Sequence, residues 1–217
     1  MKLTRKSKTK MPKLEPRKIA KFICTKTFYQ LVDITKLNNL LQTHGLLRSQ
    51  LPKHHLSELP SGMKNHAFIS YKQATAADMA GLLAERLANR GLNVWYDMGH
   101  KGNLAVPEMK KGIAQSKCYI LLLTKGVFQS EAVCMEFETA LNMHKPILFI
   151  HESQTNMPGF TPFSEYIDTV PLSAKGIFFE LESMPFQRRN YLLNPFLEEL
   201  IERVDKAQKI TKYLFNS

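Results

Sequence analysis

The residue best placed to do chemistry is a glutamate on an amphipathic helix. The spacing of apolar residues predicts a helix over residues 130 to 143. Glu136 lies along the border of its apolar face, whereas Glu131 and Glu138 lie on a solvated face. A carboxylate at the border of a cleft can hold hydroxyl groups and stabilise developing positive charge, so Glu136 is the candidate catalytic group. The apolar face consists of Val133, Phe137, Ala140 and Leu141.

A second set of candidates follows two short apolar runs, residues 67–71 and 92–97. Runs of this kind predict strands, and ligands of parallel α/β sheets bind where the strands end and the loops lead into the next helices. The side chains at that edge include hydroxyl, amide, basic, acidic and aromatic groups. The candidate binding residues are Ser70, Tyr71, Lys72, Gln73, Trp95, Asp97 and Gly102.

Several of these residues have a structural alternative. Lys72 can pair with a phosphate group or can extend into solvent as a loop lysine. Trp95 and Tyr96 alternate along a strand, so one packs in the core and the other is free to stack on a ring. Asp97 can contact a ligand or fix the loop that follows it. The sequence leaves these alternatives open.

The elements that must position these residues alternate between strands and helices. Nearly continuous apolar runs predict strands at residues 67–71, 92–97, 119–123 and 146–150, with a possible last strand at 167–172. Helical spacing joins them, and a final helix is predicted to open at Asn194-Pro195. This pattern predicts a doubly wound, flavodoxin-like α/β fold, with about five parallel strands flanked by helices. The final helix should bury Leu197, Leu200, Ile201 and Val204.

The basic charge is confined to one end of the chain. The net charge is +11, and residues 1–64 hold 14 Lys and Arg against 3 Asp and Glu, which accounts for all of it. Two Leu-Pro steps and Ser61-Gly62 predict a linker that ends near residue 64. We therefore expect a basic extension and linker over 1–64, a folded domain over 65–208 and a tail over 209–217. Anionic lipid or an acidic partner could bind the extension.

Composition argues against several classes of protein. Three cysteines without CxxC spacing predict neither a disulfide framework nor a zinc site, and no histidine spacing suggests a metal ligand set. No apolar run is long enough for a membrane span, and the first twenty residues lack the apolar core of a secretory signal. The expected compartment is the cytoplasm, although the acid-poor start leaves a mitochondrial presequence open.

Four ordered segments resemble the TIR domain family. HAFISY is similar to its first strand, and GLNVWYD is similar to its second strand and the start of its BB loop. IAQSKCYILLLT resembles the run into the third strand, and SEAVCMEFETAL resembles the helix that carries Ser130 and Glu136. The resemblance covers residues 65 to about 208. The chain departs from the pattern at Ala132, where many members have tryptophan, and in MGHKGNLA, which lacks an acidic residue before its glycine.

The resemblance implies one of two functions. Some TIR domains cleave NAD to nicotinamide and ADP-ribose or cyclic ADP-ribose with one glutamate and no metal, in immune or cell-death signalling. That reading makes Glu136 catalytic, NAD the substrate, and other TIR domains the partners in a homo-oligomer that completes the site. The other reading is a non-catalytic adaptor that acts by TIR–TIR interaction. No cofactor is expected in either case.

Overall fold

The fold is a five-stranded parallel sheet in the order β2-β1-β3-β4-β5, covered by helices on both faces. The computed structural model describes residues 56–97 and 106–214, with side chains up to residue 207. The sequence prediction of a doubly wound α/β fold is therefore confirmed. In chain order the elements are β1 (Asn65–Ser70), α1 (Gln73–Ala88), β2 (Val94–Trp95), α2 (Val106–Ala114), β3 (Ser116–Leu123), α3 (Glu131–Asn142), β4 (Ile147–His151), α4 (Phe163–Thr169), α5 (Lys175–Glu180), β5 (Ser183–Pro185) and α6 (Asn190–Leu214).

The central strand β3 explains why the strands read as continuous apolar runs. All eight of its residues are buried, because helices cover both faces of the sheet. Alternate side chains of the strands enter two separate apolar clusters. Ile69 and Ile120 lie in the cluster with α1 and α6, and Phe68 and Tyr119 lie in the cluster with α2 and α3.

The predicted helix boundaries near the candidate site are confirmed. Helix α3 begins after Ser130, whose hydroxyl accepts a hydrogen bond from the backbone N–H of Val133 at 3.5 Å, so the serine caps the helix. Helix α1 ends before Gly91, which has a φ of 88°. Glycine suits this left-handed position, and the N–H of Leu92 closes the turn on the carbonyl of Leu87.

Three predicted elements differ from the structure. Residues 167–172 do not form a strand, because burial of Tyr166 and Val170 follows a helical spacing and places them on α4 and just after it. The last strand is β5, which pairs with β4. Strand β2 contains two residues rather than six. Helix α6 opens at Asn190, one turn before the predicted start, although its four predicted core residues are indeed buried.

The segment before β1 contacts the last helix, α6. Leu56 packs against the cluster that contains α1 and α6. The backbone N–H of Ser57 donates to Asp205 Oδ1 at 3.1 Å, and the buried Lys117 ammonium donates to Ser57 Oγ at 3.2 Å and to the Asp205 carbonyl at 2.8 Å. One lysine at the start of β3 thus joins the segment before β1 to α6.

Some expectations concern residues outside the described part of the chain. The basic residues 1–55 and residues 98–105, which include Gly102, are among them. The proposed binding of lipid or an acidic partner by the extension therefore stays a prediction. Among the described helices, none is both long and apolar enough to cross a bilayer.

Candidate active site

The carboxyl group of Glu136 reaches from α3 to the carboxyl end of β1. Ser70, the last residue of β1, donates a hydrogen bond from Oγ to Glu136 Oε2 at 2.5 Å. The Glu136 side chain is only partly exposed, whereas Glu131 and Glu138 on the same helix are exposed as predicted. Helical geometry thus singles out one of the three glutamates for contact with the sheet edge.

The surroundings of Glu136 favour its neutral form. The pKa of Glu136 is raised from 4.5 to about 7, chiefly by burial and to a smaller extent by the nearby Asp97 carboxylate. The hydrogen bond from Ser70 acts in the opposite direction, because it stabilises the charged form. Near neutral pH, both protonation states of this carboxyl group are therefore populated. A carboxyl group of this kind is typical of a functional site.

Tyr71 and Asp97 belong to the same electrostatic neighbourhood. Burial raises the pKa of Tyr71 to about 12, with smaller contributions from Asp97, Tyr96 and Glu136. Tyr71 is half-buried and packs against the cluster that contains α1 and α6. Asp97 is exposed and lies two residues after the end of β2. Three sequence-predicted site residues, Tyr71, Asp97 and Glu136, thus interact at one edge of the sheet.

Lys72 and Gln73 lie at the start of α1. Lys72 occupies the position before the first helical turn, and Gln73 is exposed. The Lys72 ammonium lies beside Gly126 in the loop after β3, where a Cβ atom on that glycine would stand 2.7 Å from it. Gln129 Oε1 would stand 2.8 Å from the same point. Lys72 therefore reaches across the sheet edge from β1 towards β3.

Trp95 is held by packing on the other face of the sheet. Its ring stacks on Phe68 with centroids 4.2 Å apart and an angle of 11° between the planes. A Cβ atom on Gly112 of α2 would stand 2.8 Å from the indole, so the helix can approach the ring because residue 112 is glycine. The structural alternative for Trp95 is therefore observed, and its side chain is partly exposed.

Tyr119 is a site neighbour that sequence reasoning missed. Its side chain is fully buried on β3, and its hydroxyl forms no hydrogen bond of normal geometry within the described structure, although the Ser70 hydroxyl is close enough to affect it. Burial and the Glu136 carboxylate raise its pKa, whereas the Ser70 hydroxyl lowers it. The sequence does offer one indication that Tyr119 lies near the site. It is a tyrosine within an apolar strand, and a buried phenol needs a polar neighbour.

The described residues contain no cluster of three or more metal-ligating side chains. What they do bring together is a partly buried carboxyl group, two hydroxyl-bearing neighbours and an exposed aspartate at the carboxyl end of β1 and β2. Such a carboxylate can accept hydrogen bonds from substrate hydroxyls and stabilise a cation in a site of low polarity. The arrangement suits chemistry in which positive charge develops on a polyhydroxylated group.

Comparisons with known proteins give a family and a fold. The sequence matches a family model described as "TIR domain" over residues 67–175, half of the chain. No curated protein matches the sequence. The relatives of known structure reported below are all less than 25% identical to the chain, so these similarities concern the fold alone.

Three similar structures illustrate this fold. A metazoan TIR-STING receptor from C. gigas in complex with 2′,3′-cGAMP has a TM-score of 0.50 and 16% identity, and the match covers 70% of this chain and 42% of the receptor chain. The TIR domain of the Toll-related receptor TRR-2 from Hydra magnipapillata has a TM-score of 0.46 and 13% identity, with 65% and 98% covered. The TIR domains of the activated Roq1 resistosome have a TM-score of 0.45 and 13% identity, with 65% and 99% covered. The chain thus spans less than half of the receptor.

Proposed function

This chain belongs to the TIR domain family, and on that basis we propose that it cleaves NAD between nicotinamide and ribose, with Glu136 as the catalytic carboxylate. The observation that carries the proposal is the placement of Glu136. Its carboxyl group lies at the carboxyl end of β1, accepts a hydrogen bond from Ser70 and has a pKa raised to about 7. A ligand in a sheet of this topology would approach that edge.

Cleavage of NAD requires one carboxylate from the protein and little general acid catalysis. The bond between ribose C1′ and the nicotinamide nitrogen breaks, and its electron pair leaves with nicotinamide, which is already a good leaving group because it is cationic in NAD. The ribose becomes an oxocarbenium-like cation, which the Glu136 carboxylate stabilises while it holds the ribose hydroxyls. Water then attacks C1′ and releases a proton through Glu136 to solvent, which gives ADP-ribose. Attack by the adenine of the same molecule would give cyclic ADP-ribose instead.

The remaining predicted residues have supporting roles in this proposal. Lys72 lies at the same edge as Glu136 and can move from its position beside Gly126 to pair with a phosphate group. Tyr71, Gln73 and Asp97 border the nucleotide, and the partly exposed Trp95 offers a surface for a ring. Gly102 follows β2 in the sequence and belongs to a segment that contacts substrate or a neighbouring subunit. That last role follows from the family resemblance, as does the homo-oligomer that completes the site.

A matched pair of variants tests the catalytic assignment. Purified protein at high concentration is incubated with NAD, and nicotinamide release is followed by chromatography. Glu136→Gln should lower the rate by about 100-fold or more, because loss of a charge-stabilising group typically has that effect. Glu138→Gln, an exposed position on the same helix, should leave the rate unchanged. Equal rates for Glu136→Gln and the unmodified protein would contradict the assignment.

The adaptor function remains the rival outcome of the same experiment. It predicts no nicotinamide release at any protein concentration, together with stable association with other TIR domains in co-precipitation. Activity that rises more than proportionally with protein concentration would instead support an assembled enzyme, because each site would need a second subunit.

A further inference from the structure

Tyr119 combines a deeply buried side chain with a hydroxyl group that has no conventional hydrogen-bond partner within the described structure. Its ring lies between Phe68 and Phe137, with centroid distances of 5.7 Å and 6.1 Å. Apolar contacts on both sides would accommodate phenylalanine equally well. The hydroxyl group is therefore the feature that packing does not explain.

Ser70 is a polar residue whose hydroxyl affects this phenol. Strands β1 and β3 pair in parallel, with Phe68 opposite Tyr119 and Ser70 two residues further along the same face. A tyrosine side chain that extends along its strand thus approaches Ser70. The effects of both Ser70 and Glu136 on the Tyr119 pKa agree with this proximity.

We propose that Tyr119 is a positioning residue for Glu136 and acts through Ser70: its phenol donates to Ser70 Oγ, which commits the serine proton to the carboxylate. The inference rests on the proposed function insofar as it concerns catalysis. The Ser70 hydroxyl has one proton, and a donor behind it leaves that proton free to point at Glu136 Oε2. The phenol and the serine then form a chain of hydrogen bonds that stabilises the ionised carboxylate.

Other groups near the carboxylate do not duplicate this arrangement. Asp97, after β2, and Tyr71, at the end of β1, interact with Glu136 from the exposed edge, and both would repel it when ionised. Cys134, on α3, interacts with Tyr119 and donates its own hydrogen bond to the carbonyl of Phe128. Ser70 is thus the residue through which Tyr119 can stabilise the charged form.

The test uses two buried tyrosines whose hydroxyl groups both lack a partner. Tyr119→Phe removes the proposed donor and keeps the ring. Tyr166→Phe, on α4, makes the same change at a second fully buried position and serves as the control. The protonation of Glu136 is followed without NAD by NMR of protein labelled with ¹³C at glutamate carboxyl groups, and its resonance is identified from its loss in Glu136→Gln.

Tyr119→Phe should raise the titration midpoint of Glu136 by about half a pH unit, since a weakened hydrogen bond favours the neutral acid. Nicotinamide release should fall about twofold at pH 7 and recover at pH 9, with KM for NAD unchanged. In a Ser70→Ala background, Tyr119→Phe should have no further effect, because the intermediate hydroxyl is missing. Tyr166→Phe should leave the midpoint in place.

The two proposals can fail separately. An unchanged midpoint in Tyr119→Phe, or an equal change in Tyr166→Phe, would overturn the positioning role even if NAD cleavage depends on Glu136. A shifted midpoint in protein that releases no nicotinamide would support the positioning role and overturn the proposed activity.

Discussion

Ser70 Oγ and Glu136 Oε2 lie 2.5 Å apart, although 66 residues separate them in the chain. This distance is typical of a hydroxyl that donates to a charged oxygen. The contact joins the end of a central strand to the middle of a helix, so the protonation of one carboxyl group depends on the register of both elements.

The rate of NAD cleavage should rise with pH around a midpoint near 7. The ionised carboxylate is the form that stabilises a cation, and the pKa of Glu136 is raised to about 7. Ser70→Ala should move the midpoint to higher pH, because the Ser70 hydrogen bond lowers that pKa. The measurement is kcat/KM for nicotinamide release between pH 5.5 and 9. Ser173→Ala, at an exposed serine, is the control. A midpoint near the ordinary glutamate value would refute this prediction.

Glu136→Gln should stabilise the fold at alkaline pH while it removes activity. The folded pKa of Glu136, about 7, exceeds its ordinary value of 4.5, so the folded state binds the proton more tightly. The contribution of Glu136 to stability is therefore full below about pH 4.5 and is lost as pH rises through 7. At pH 8 the variant should gain about 3 kcal/mol in the free energy of unfolding, with little difference at pH 4. Urea unfolding at both pH values measures this.

Glu138→Gln provides the comparison, because that side chain is exposed on the same helix. Its free energy of unfolding should change equally little at both pH values. If Glu136→Gln is less stable at pH 8 than the unmodified protein, the ionised carboxylate stabilises the fold, which would contradict the prediction.

Two glycine-to-alanine variants should have opposite effects on stability. Gly126 has a φ of 68°, and an added Cβ would stand 2.7 Å from Lys72 Nζ, so alanine should cost about 1–2 kcal/mol. Gly81 lies inside α1 with open space around it, so alanine there should add up to about 1 kcal/mol. Denaturant unfolding measures both. Gly126→Ala should also raise KM for NAD if Lys72 binds phosphate. Equal stability of the two variants would contradict the geometry at Gly126.

The sequence predicts the buried core of this fold well and its edge poorly. Strand β3 is buried on both faces, so its apolar run is unambiguous, and the helical spacing around Phe137 fixes the orientation of Glu136. Strand β5 has three residues, ends in Pro185 and exists because it pairs with β4. No local pattern indicates such a strand. The predicted strand 167–172 is wrong because its apolar residues Ile167 and Leu172 are exposed, and the segment includes the end of helix α4.

Part of the candidate site was equally inaccessible to sequence reasoning. The spacing of side chains on α3 placed Glu136 at the border of a cleft, and helical geometry sufficed for that. The contact with Ser70 depends on how α3 packs against β1, and Tyr119 joins the site because of the pairing between β1 and β3. These are tertiary relationships, which a residue pattern within one element does not encode.

The cluster of Ser57, Lys117 and Asp205 also has a consequence for protein engineering. It holds the segment before β1 against the last helix. Ser57 and Asp205 are therefore neighbours in space, although they are 148 residues apart in sequence. A domain whose ends meet can be inserted into a surface loop of another protein with short connections. Such a fusion should include residue 56, because a start at residue 65 would leave the buried ammonium of Lys117 without its serine partner.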